Sequence, residues 1–202
     1  MRLVLASASP ARLATLRSAG IDPEVVVSGV DESSITAPDA TTLVEQLAGA
    51  KARAASRQVQ GDALVLGCDS MLELEHETLG KPSSPEEAVE RWRRMQGRSG
   101  VLHTGHALIA TSDGVAHTHL AAVASTRVHF AEISDDELGA YVDSGEPLAV
   151  AGAFTIDGLG GWFIDSIGGD HHNVVGLSLP LLRRMLRKLG LSLTDLGWPR
   201  AT

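Results

Sequence analysis

The chain opens on a short apolar strand that runs directly into the start of a helix. Residues 1–12 read MRLVLASASPAR, and residues 3–6 are typical of a buried strand. Ser9 suits the N-cap of a helix and Pro10 its first turn, where the missing backbone N–H costs nothing. Unpaired N–H groups and about half a positive charge make a helix N-terminus a binding site for anions. This segment therefore indicates an α/β fold, and it either holds an anion or only caps the helix.

The alternation of strands and helices continues to the end of the chain. Strands are predicted at residues 3–6, 24–27, 63–68, 71–79, 107–110 and 123–130. Helices are predicted at 11–19, 41–59 and 180–189, with two more behind the capping boxes of Ser84 with Glu87 and Ser134 with Glu137. No internal repeat or linker interrupts this order. Alternating elements of this kind predict a mixed α/β fold.

Length, charge and cysteine content narrow the class of protein. The 202 residues suit one domain or two closely packed lobes. The net charge of -8 argues against a general nucleic-acid binder, which needs clustered positive charge. Cys68 is the one cysteine, so no intrachain disulfide forms. No apolar run is long enough to span a membrane, and the N-terminal run lacks the features of a secretory signal, so a cytoplasmic protein is expected.

Acidic residues follow two of the predicted strands. Asp31 and Glu32 come after the strand at 24–27, and Asp69 comes directly after the apolar strand at 63–68. Carboxylates that converge from separate strand ends can hold Mg²⁺, which takes a few protein oxygens and the oxygens of a bound phosphate. A single acid at such a place is more often a plain turn residue. Asp69 differs, because an acid adjoining a buried strand needs a partner or a chemical task.

Two lysines are placed where they can neutralise a bound anion. Lys51 follows Leu47 by four positions and therefore borders the apolar face of its predicted helix. Lys81 projects from the rigid turn Gly80–Lys81–Pro82. A lysine that borders a core also commonly extends to water along an apolar surface, and that alternative stays open for Lys51.

These motifs, taken in order, resemble the Maf family of nucleotide pyrophosphatases, which is related in fold to the inosine triphosphate pyrophosphatases. The resemblance covers nearly the whole chain. Its blocks are LVLASASP near the start, VDE at Val30 to Glu32, AxxKA around Lys51, GCDS at Gly67 to Ser70, LGKP at Leu79 to Pro82, TG at Thr104 and Gly105, and AGAFTIDGLGGWFI followed by NVVGLSL.

The resemblance implies a fold, an activity and a set of site residues. The fold would be a single Maf-like domain over residues 1–202, with a mixed twisted sheet, flanking helices and two lobes around a central cleft. The activity would be hydrolysis of nucleoside triphosphates, including modified or non-canonical ones, to a monophosphate and pyrophosphate with a divalent metal, Mg²⁺ or Mn²⁺. The implied residues are Asp69 as catalytic base, Glu32 and Asp69 as metal ligands, and Ser7, Ser9, Arg12, Lys51, Lys81 and Asp157 as substrate contacts. A homodimer is left open.

Three positions depart from the family pattern. Ala11 stands where the first of two arginines is usual in the phosphate loop. Gly100 aligns with a common histidine, and His103 lies at a different spacing. Asp157 replaces the glutamine of the branch that acts on thymidine and uridine triphosphates, and an ionised carboxylate cannot donate the hydrogen bond that an amide offers. The preferred base is therefore not settled by the resemblance.

Two other classes of protein share features with this sequence. A dinucleotide-binding oxidoreductase is disfavoured, because no GxGxxG follows the first strand. The second class is a non-catalytic or dual-role nucleotide-binding regulator of cell division, a role that has been attached to the family. Asp69, Lys51 and Lys81 are all present and favour the enzyme, since a protein that only binds would not require the base.

Overall fold

A seven-stranded mixed sheet forms the centre of the computed structural model, which describes residues 1–199. The strands are β1 (Arg2–Leu5), β2 (Glu24–Val25), β3 (Ala63–Leu74), β4 (Glu77–Leu79), β5 (Ser99–Ser112), β6 (Val115–Phe130) and β7 (Ile164–Gly168). The helices are α1 (Pro10–Ser18), α2 (Ala40–Ser56), α3 (Pro85–Met95), α4 (Asp135–Asp143), α5 (His171–Val175) and α6 (Leu179–Lys188). Within residues 1–199, no helix is both long and apolar enough to cross a bilayer.

The sheet combines a parallel edge with an antiparallel centre. Its order is β2-β1-β3-β5-β6-β7, and β4 adds to β3. Strand β1 runs parallel to β2 and to β3, whereas the pairs of β3 with β5, β5 with β6 and β6 with β7 are antiparallel. The parallel pairs need helical crossovers, which α1 and α2 supply. The predicted mixed α/β fold is confirmed.

The central strands are much longer than the sequence pattern indicated. Strand β3 continues without interruption from Ala63 to Leu74, so Asp69 lies inside a strand and not after its end. Strands β5 and β6 contain 14 and 16 residues. The polar residues in the middle of these strands break the apolar run from which strands were predicted. Strand β7 and the short helix α5 were not predicted at all.

The core is divided into three apolar clusters around this sheet. Side chains alternate between the faces of each strand, so Leu64, Leu66 and Leu108 face α1 and α6. Val65 and Ala107 face the opposite side, under α2. A third cluster lies towards the other end of the long strands and is centred on Trp92, Phe130 and Leu72 beside α3 and α4. Polar residues in the middle of β3 and β5 separate the clusters, as a two-lobed protein requires.

Two glycines allow α2 to lie unusually close to the sheet. An added Cβ at Gly67 would lie 2.2 Å from the carbonyl oxygen of Ala48, and one at Gly105 would lie 2.1 Å from that of Val44. The backbone of α2 therefore rests directly on β3 and β5. Since Asp69 is paired with Gly105 across the two strands, this contact also places α2 beside Asp69.

We expect Gly105→Ala to destabilise the protein by about 1–3 kcal/mol, because the added methyl group forces α2 away from the sheet. Gly139→Ala is the matched control, since Gly139 lies in helix α4 with nothing within 4 Å of an added Cβ. That change should be neutral or stabilise by up to about 1 kcal/mol. Urea denaturation measures both values. Equal stability of the two variants would contradict the close packing of α2.

Candidate active site

The candidate site lies at a gap in the edge of strand β3. Pairing with β1 ends at Leu66, and pairing with β4 begins at Leu72. Along the described chain, residues 67–71 of β3 therefore have a paired strand only on the β5 side. Asp69 is in the middle of this gap. The loop after β1 borders the gap on one side, and the turn after β4 borders it on the other.

Asp69 is a buried carboxylate that is held by a buried lysine. It is 4% exposed, and its Oδ1 accepts a hydrogen bond from Nζ of Lys51. The same Nζ lies 2.7 Å from Oε1 of Glu32, whose side chain is half-exposed. Lys51 itself is buried, so it points into the protein and does not extend to water. One ammonium group thus bridges Glu32 and Asp69, the two carboxylates that the family resemblance implies as metal ligands.

The surroundings of Asp69 shift the pKa of its carboxyl group. Burial raises the pKa of Asp69 above its ordinary value, and the positive charges of Lys51 and Arg12 oppose that rise. Its second oxygen, Oδ2, is buried and has no hydrogen-bond partner among the described residues. A carboxylate with a raised pKa and an unused oxygen is suited to accept a proton or to ligate a cation.

Arg12 joins the loop after β1 to two other parts of the chain. Its Nη1 donates to Oγ of Ser7 and its Nη2 to Oγ of Ser70, both at 3.1 Å. Its Nε donates to the carbonyl of Gly176 at 2.8 Å. Ser9 caps α1 as predicted, because its Oγ accepts from the backbone N–H of Arg12. The loop, the gap and the segment after α5 therefore form one unit.

A buried polar network continues from Ser70 into the protein. Oγ of Ser70 lies 2.9 Å from Oγ1 of Thr104, which donates to the carbonyl of Asn173 at 3.1 Å. The backbone N–H of Ser178 donates to Nε2 of His106 at 2.8 Å. Ser70, Thr104 and Asn173 belong to motifs quoted above, but no role was predicted for them. Ser70 and Thr104 are polar residues inside otherwise apolar strands, which is a signal in the sequence, whereas Asn173 lies in α5.

Lys81 and Asp157 lie at different distances from this centre. Lys81 is exposed and comes two residues after the Leu79–Leu72 pair, at the border of the gap. The turn is fixed because the carbonyl of Gly80 accepts hydrogen bonds from Arg91 and from the backbone N–H of Gly152. Asp157 is exposed on the glycine-rich loop, and among the described contacts none joins it to Asp69.

The carboxylates suit a divalent cation that is held partly by the protein and partly by the oxygens of a bound phosphate. Glu32 and Asp69 meet at Lys51, and Oδ2 of Asp69 is unpartnered. Within residues 1–199, no group of three or more His, Cys, Asp or Glu side chains forms a complete protein metal site. Mg²⁺ is commonly held by one or two carboxylates together with substrate phosphates. The two carboxylates fit that mode.

A buried carboxylate that is influenced by Lys51 and by Arg12, which lies in the first turn of α1, suits a protein that acts on phosphorylated small molecules. The comparisons agree with this class. Residues 2–189 match the family described as "Maf-like protein", and the chain belongs to that family.

Named relatives match the chain along almost its whole length. A Streptomyces coelicolor protein named "Nucleoside triphosphate pyrophosphatase" is 58% identical over 98% of this chain and 95% of its own length. A Salinispora tropica protein of the same name is 55% identical over 100% of this chain and 89% of its own. The Staphylococcus aureus Ham1 protein structure is 15% identical with a TM-score of 0.41, over 65% of this chain and 73% of that one.

We expect Lys51→Met to destabilise the protein in a pH-dependent way. Without Lys51, the pKa of Asp69 in the folded state rises further above its unfolded value of about 4. The loss of stability is therefore small below that value and grows as pH rises through the folded pKa, towards about 3–5 kcal/mol. Urea denaturation at about pH 5 and about pH 8 measures the difference.

A second substitution separates the charge effect from lost packing. Asp69→Asn on the Lys51→Met background removes the unpaired charge and should recover most of the stability at the higher pH. A loss that is independent of pH, or that Asp69→Asn does not recover, would exclude the ion pair as its cause.

Proposed function

We propose that this protein hydrolyses nucleoside triphosphates to nucleoside monophosphates and pyrophosphate. The observation that carries the proposal is the buried, lysine-bridged carboxylate of Asp69 at the gap in β3. The names of the relatives that match along almost the whole chain support the same reaction. We also propose that residues 1–202 form one Maf-like domain.

The borders of the gap bind the triphosphate in this proposal. The N-terminus of α1 and the hydroxyl groups of Ser7 and Ser9 supply donors to phosphate oxygens. Arg12 is already fixed by Ser7, Ser70 and Gly176, so its charge is available without reorganisation. Lys51 adds positive charge from α2, and Lys81 adds it from the turn after β4. In this proposal, the α-phosphorus lies next to Asp69.

Asp69 is the base in this mechanism. It accepts a proton from water while the water oxygen forms a bond to the α-phosphorus. The bond from that phosphorus to the bridging oxygen breaks, and its electrons leave with pyrophosphate. Burial raises the pKa of Asp69 and so strengthens it as a base, whereas the positive charges of Lys51 and Arg12 oppose that rise and favour the ionised form.

Glu32 and Asp69 would hold a divalent cation, Mg²⁺ or Mn²⁺. When bound, such a cation offsets the negative charge of the phosphates and of the leaving group. Lys51 then keeps the two carboxylates together on the side of the gap where α2 lies.

We further propose that the protein is cytoplasmic and that Asp157 contacts the base or the sugar. A homodimer is compatible with this function. The net charge of -8 disfavours nucleic acid as a partner.

The products distinguish this reaction from other phosphatase activities. Attack at the α-phosphorus gives monophosphate and pyrophosphate, whereas attack at the γ-phosphorus gives diphosphate and orthophosphate. We expect the first pair from a panel of nucleoside triphosphates with Mg²⁺ or Mn²⁺, as separated by chromatography. Orthophosphate as the primary product, in a preparation free of contaminating pyrophosphatase, would overturn the proposed function.

Asp69→Asn should lower turnover by a factor on the order of 10² to 10⁴, since it removes both the base and a ligand charge. Triphosphate binding should be reduced far less, because the loop after β1 and Lys81 are untouched. Asp143→Asn is the control, as Asp143 is exposed at the end of α4. Steady-state kinetics and calorimetric binding measure both. Near-normal turnover in Asp69→Asn would remove Asp69 from the mechanism.

A further inference from the structure

Helix α2 covers only part of the sheet face on which Asp69 lies. Helix α2 lies on this face over Gly67 and Gly105. Its N-cap residue Asp39 is close enough to His103 to influence the pKa of that ring, so the helix begins near His103. Past this point, the same face carries alternate residues of three strands. They are Met71, Glu73, Val101, His103, Ser125 and Arg127, and we call them the open face.

The open face differs from the rest of the sheet in polarity. Glu73 and Val101 are partly exposed, and Ser125 and Arg127 are exposed. The opposite face of the same strand segments packs in the apolar cluster around Trp92. A polar face that continues from the catalytic carboxylate offers room for the rest of a nucleotide whose phosphates lie at the gap.

His103 has an unused ring nitrogen at the centre of this face. The residue is 7% exposed, and its Nδ1 lies 2.8 Å from Oγ of Ser125 on the neighbouring strand. Its Nε2 is buried and has no hydrogen-bond partner among the described residues. Oε2 of Glu73 lies 3.7 Å from this nitrogen, which is too long for a hydrogen bond. A buried polar atom left in this state is costly unless a ligand satisfies it.

The neighbours of His103 assign its proton. Burial lowers the pKa of His103 more than the charges of Glu73 and Asp39 raise it, so the ring is neutral. A neutral imidazole has one N–H and one acceptor nitrogen. The carboxylate of Glu73 favours the proton on Nε2, and Ser125 then donates its hydroxyl to Nδ1. His103 thus presents a donor next to the acceptor oxygens of Glu73.

We propose that His103 and Glu73 read the base of the nucleotide and select bases that carry a carbonyl next to a ring N–H. The Nε2–H of His103 donates to the carbonyl, and the carboxylate of Glu73 accepts from the ring N–H. Uracil, thymine, guanine and hypoxanthine present this edge. Cytosine and adenine present an amino group next to an unprotonated nitrogen, which opposes a donor to a donor and an acceptor to an acceptor.

The register of the sheet puts this pair at a suitable separation from Asp69. His103 lies two residues along β5 from Gly105, the partner of Asp69, which is roughly 7 Å at the rise of a strand. Glu73 lies four residues along β3 from Asp69, roughly 13 Å away. The sugar of a nucleotide spans the interval between its α-phosphate and its base. This assignment rests on the proposed function, because it presumes a nucleotide with its α-phosphate at Asp69.

The test compares bases of equal ring size. Two ratios of kcat/KM are measured, that of uridine to cytidine triphosphate and that of guanosine to adenosine triphosphate. We expect both ratios to be roughly ten or more in the unmodified protein. Glu73→Gln replaces a pure acceptor by an amide that both donates and accepts, so both ratios should fall to within about threefold of one. His103→Phe keeps a planar ring but removes the donor, so both ratios should fall as well, by less, because Glu73 still opposes the unprotonated ring nitrogen of cytosine and adenine. Pyrophosphate release should continue in both variants.

His129→Phe provides a matched control. His129 makes the same kind of cross-strand contact, from its Nδ1 to Oγ of Ser99 at 2.7 Å, but further along the same strands. This variant should keep the ratios of the unmodified protein, and thermal unfolding reports any loss of folding in all three. Ratios near one in the unmodified protein would overturn the proposal.

Unchanged ratios in Glu73→Gln and His103→Phe, or a change produced by Asp157→Gln alone, would overturn it as well. If the proposed function itself is wrong, the result is different, because no nucleotide in the panel then yields pyrophosphate with the unmodified protein or with any variant.

Discussion

The structure depends on the contact between the backbone of α2 and the two glycines beneath it. Gly67 and Gly105 let the helix approach β3 and β5 more closely than side chains would allow. Only at this separation does Lys51 reach Asp69 inside the protein. A buried ion pair gains stability from its geometry but loses hydration, and removal of either partner leaves an isolated buried charge. The close packing at the two glycines therefore also fixes the position of the Lys51–Asp69 pair.

The polar residues in the middle of the sheet interrupt the apolar core. Asp69, Ser70 and Thr104 occupy strand positions that apolar side chains fill elsewhere, and they separate one lobe of the core from the other. The network through Arg12 and Asn173 satisfies many of these groups with hydrogen bonds. Among the described residues, four buried side-chain atoms are left without partners: Oδ2 of Asp69, Nε2 of His103, Oδ2 of Asp170 and Oδ1 of Asn173. Asp69 and His103 are residues to which we assign ligand contacts, and a folded protein is expected to give up local stability at such places.

Local features of the fold and the site could be predicted from the sequence, and features set by pairing between distant strands could not. The Ser9 cap of α1 and the capping box of Ser134 depend on neighbouring residues, and both are present. Lys51 and Asp69 stood out because each interrupts an apolar pattern. Strand lengths were underestimated because buried polar residues resemble strand ends. The pairing of His103 with Glu73 and Ser125 depends on the register of three strands, which single-residue patterns do not contain.

The gap between β1 and β4 also bears on how the protein avoids unwanted association. An unpaired stretch of sheet edge is a template on which a strand of another chain can add. Here the open stretch spans only residues 67–71, and the buried Lys51–Asp69 pair lies in its middle. A strand added at this position would have to fit between the loop after β1 and the turn after β4. The two segments to which we assign phosphate contacts thus also limit the length of edge on which a foreign strand can add.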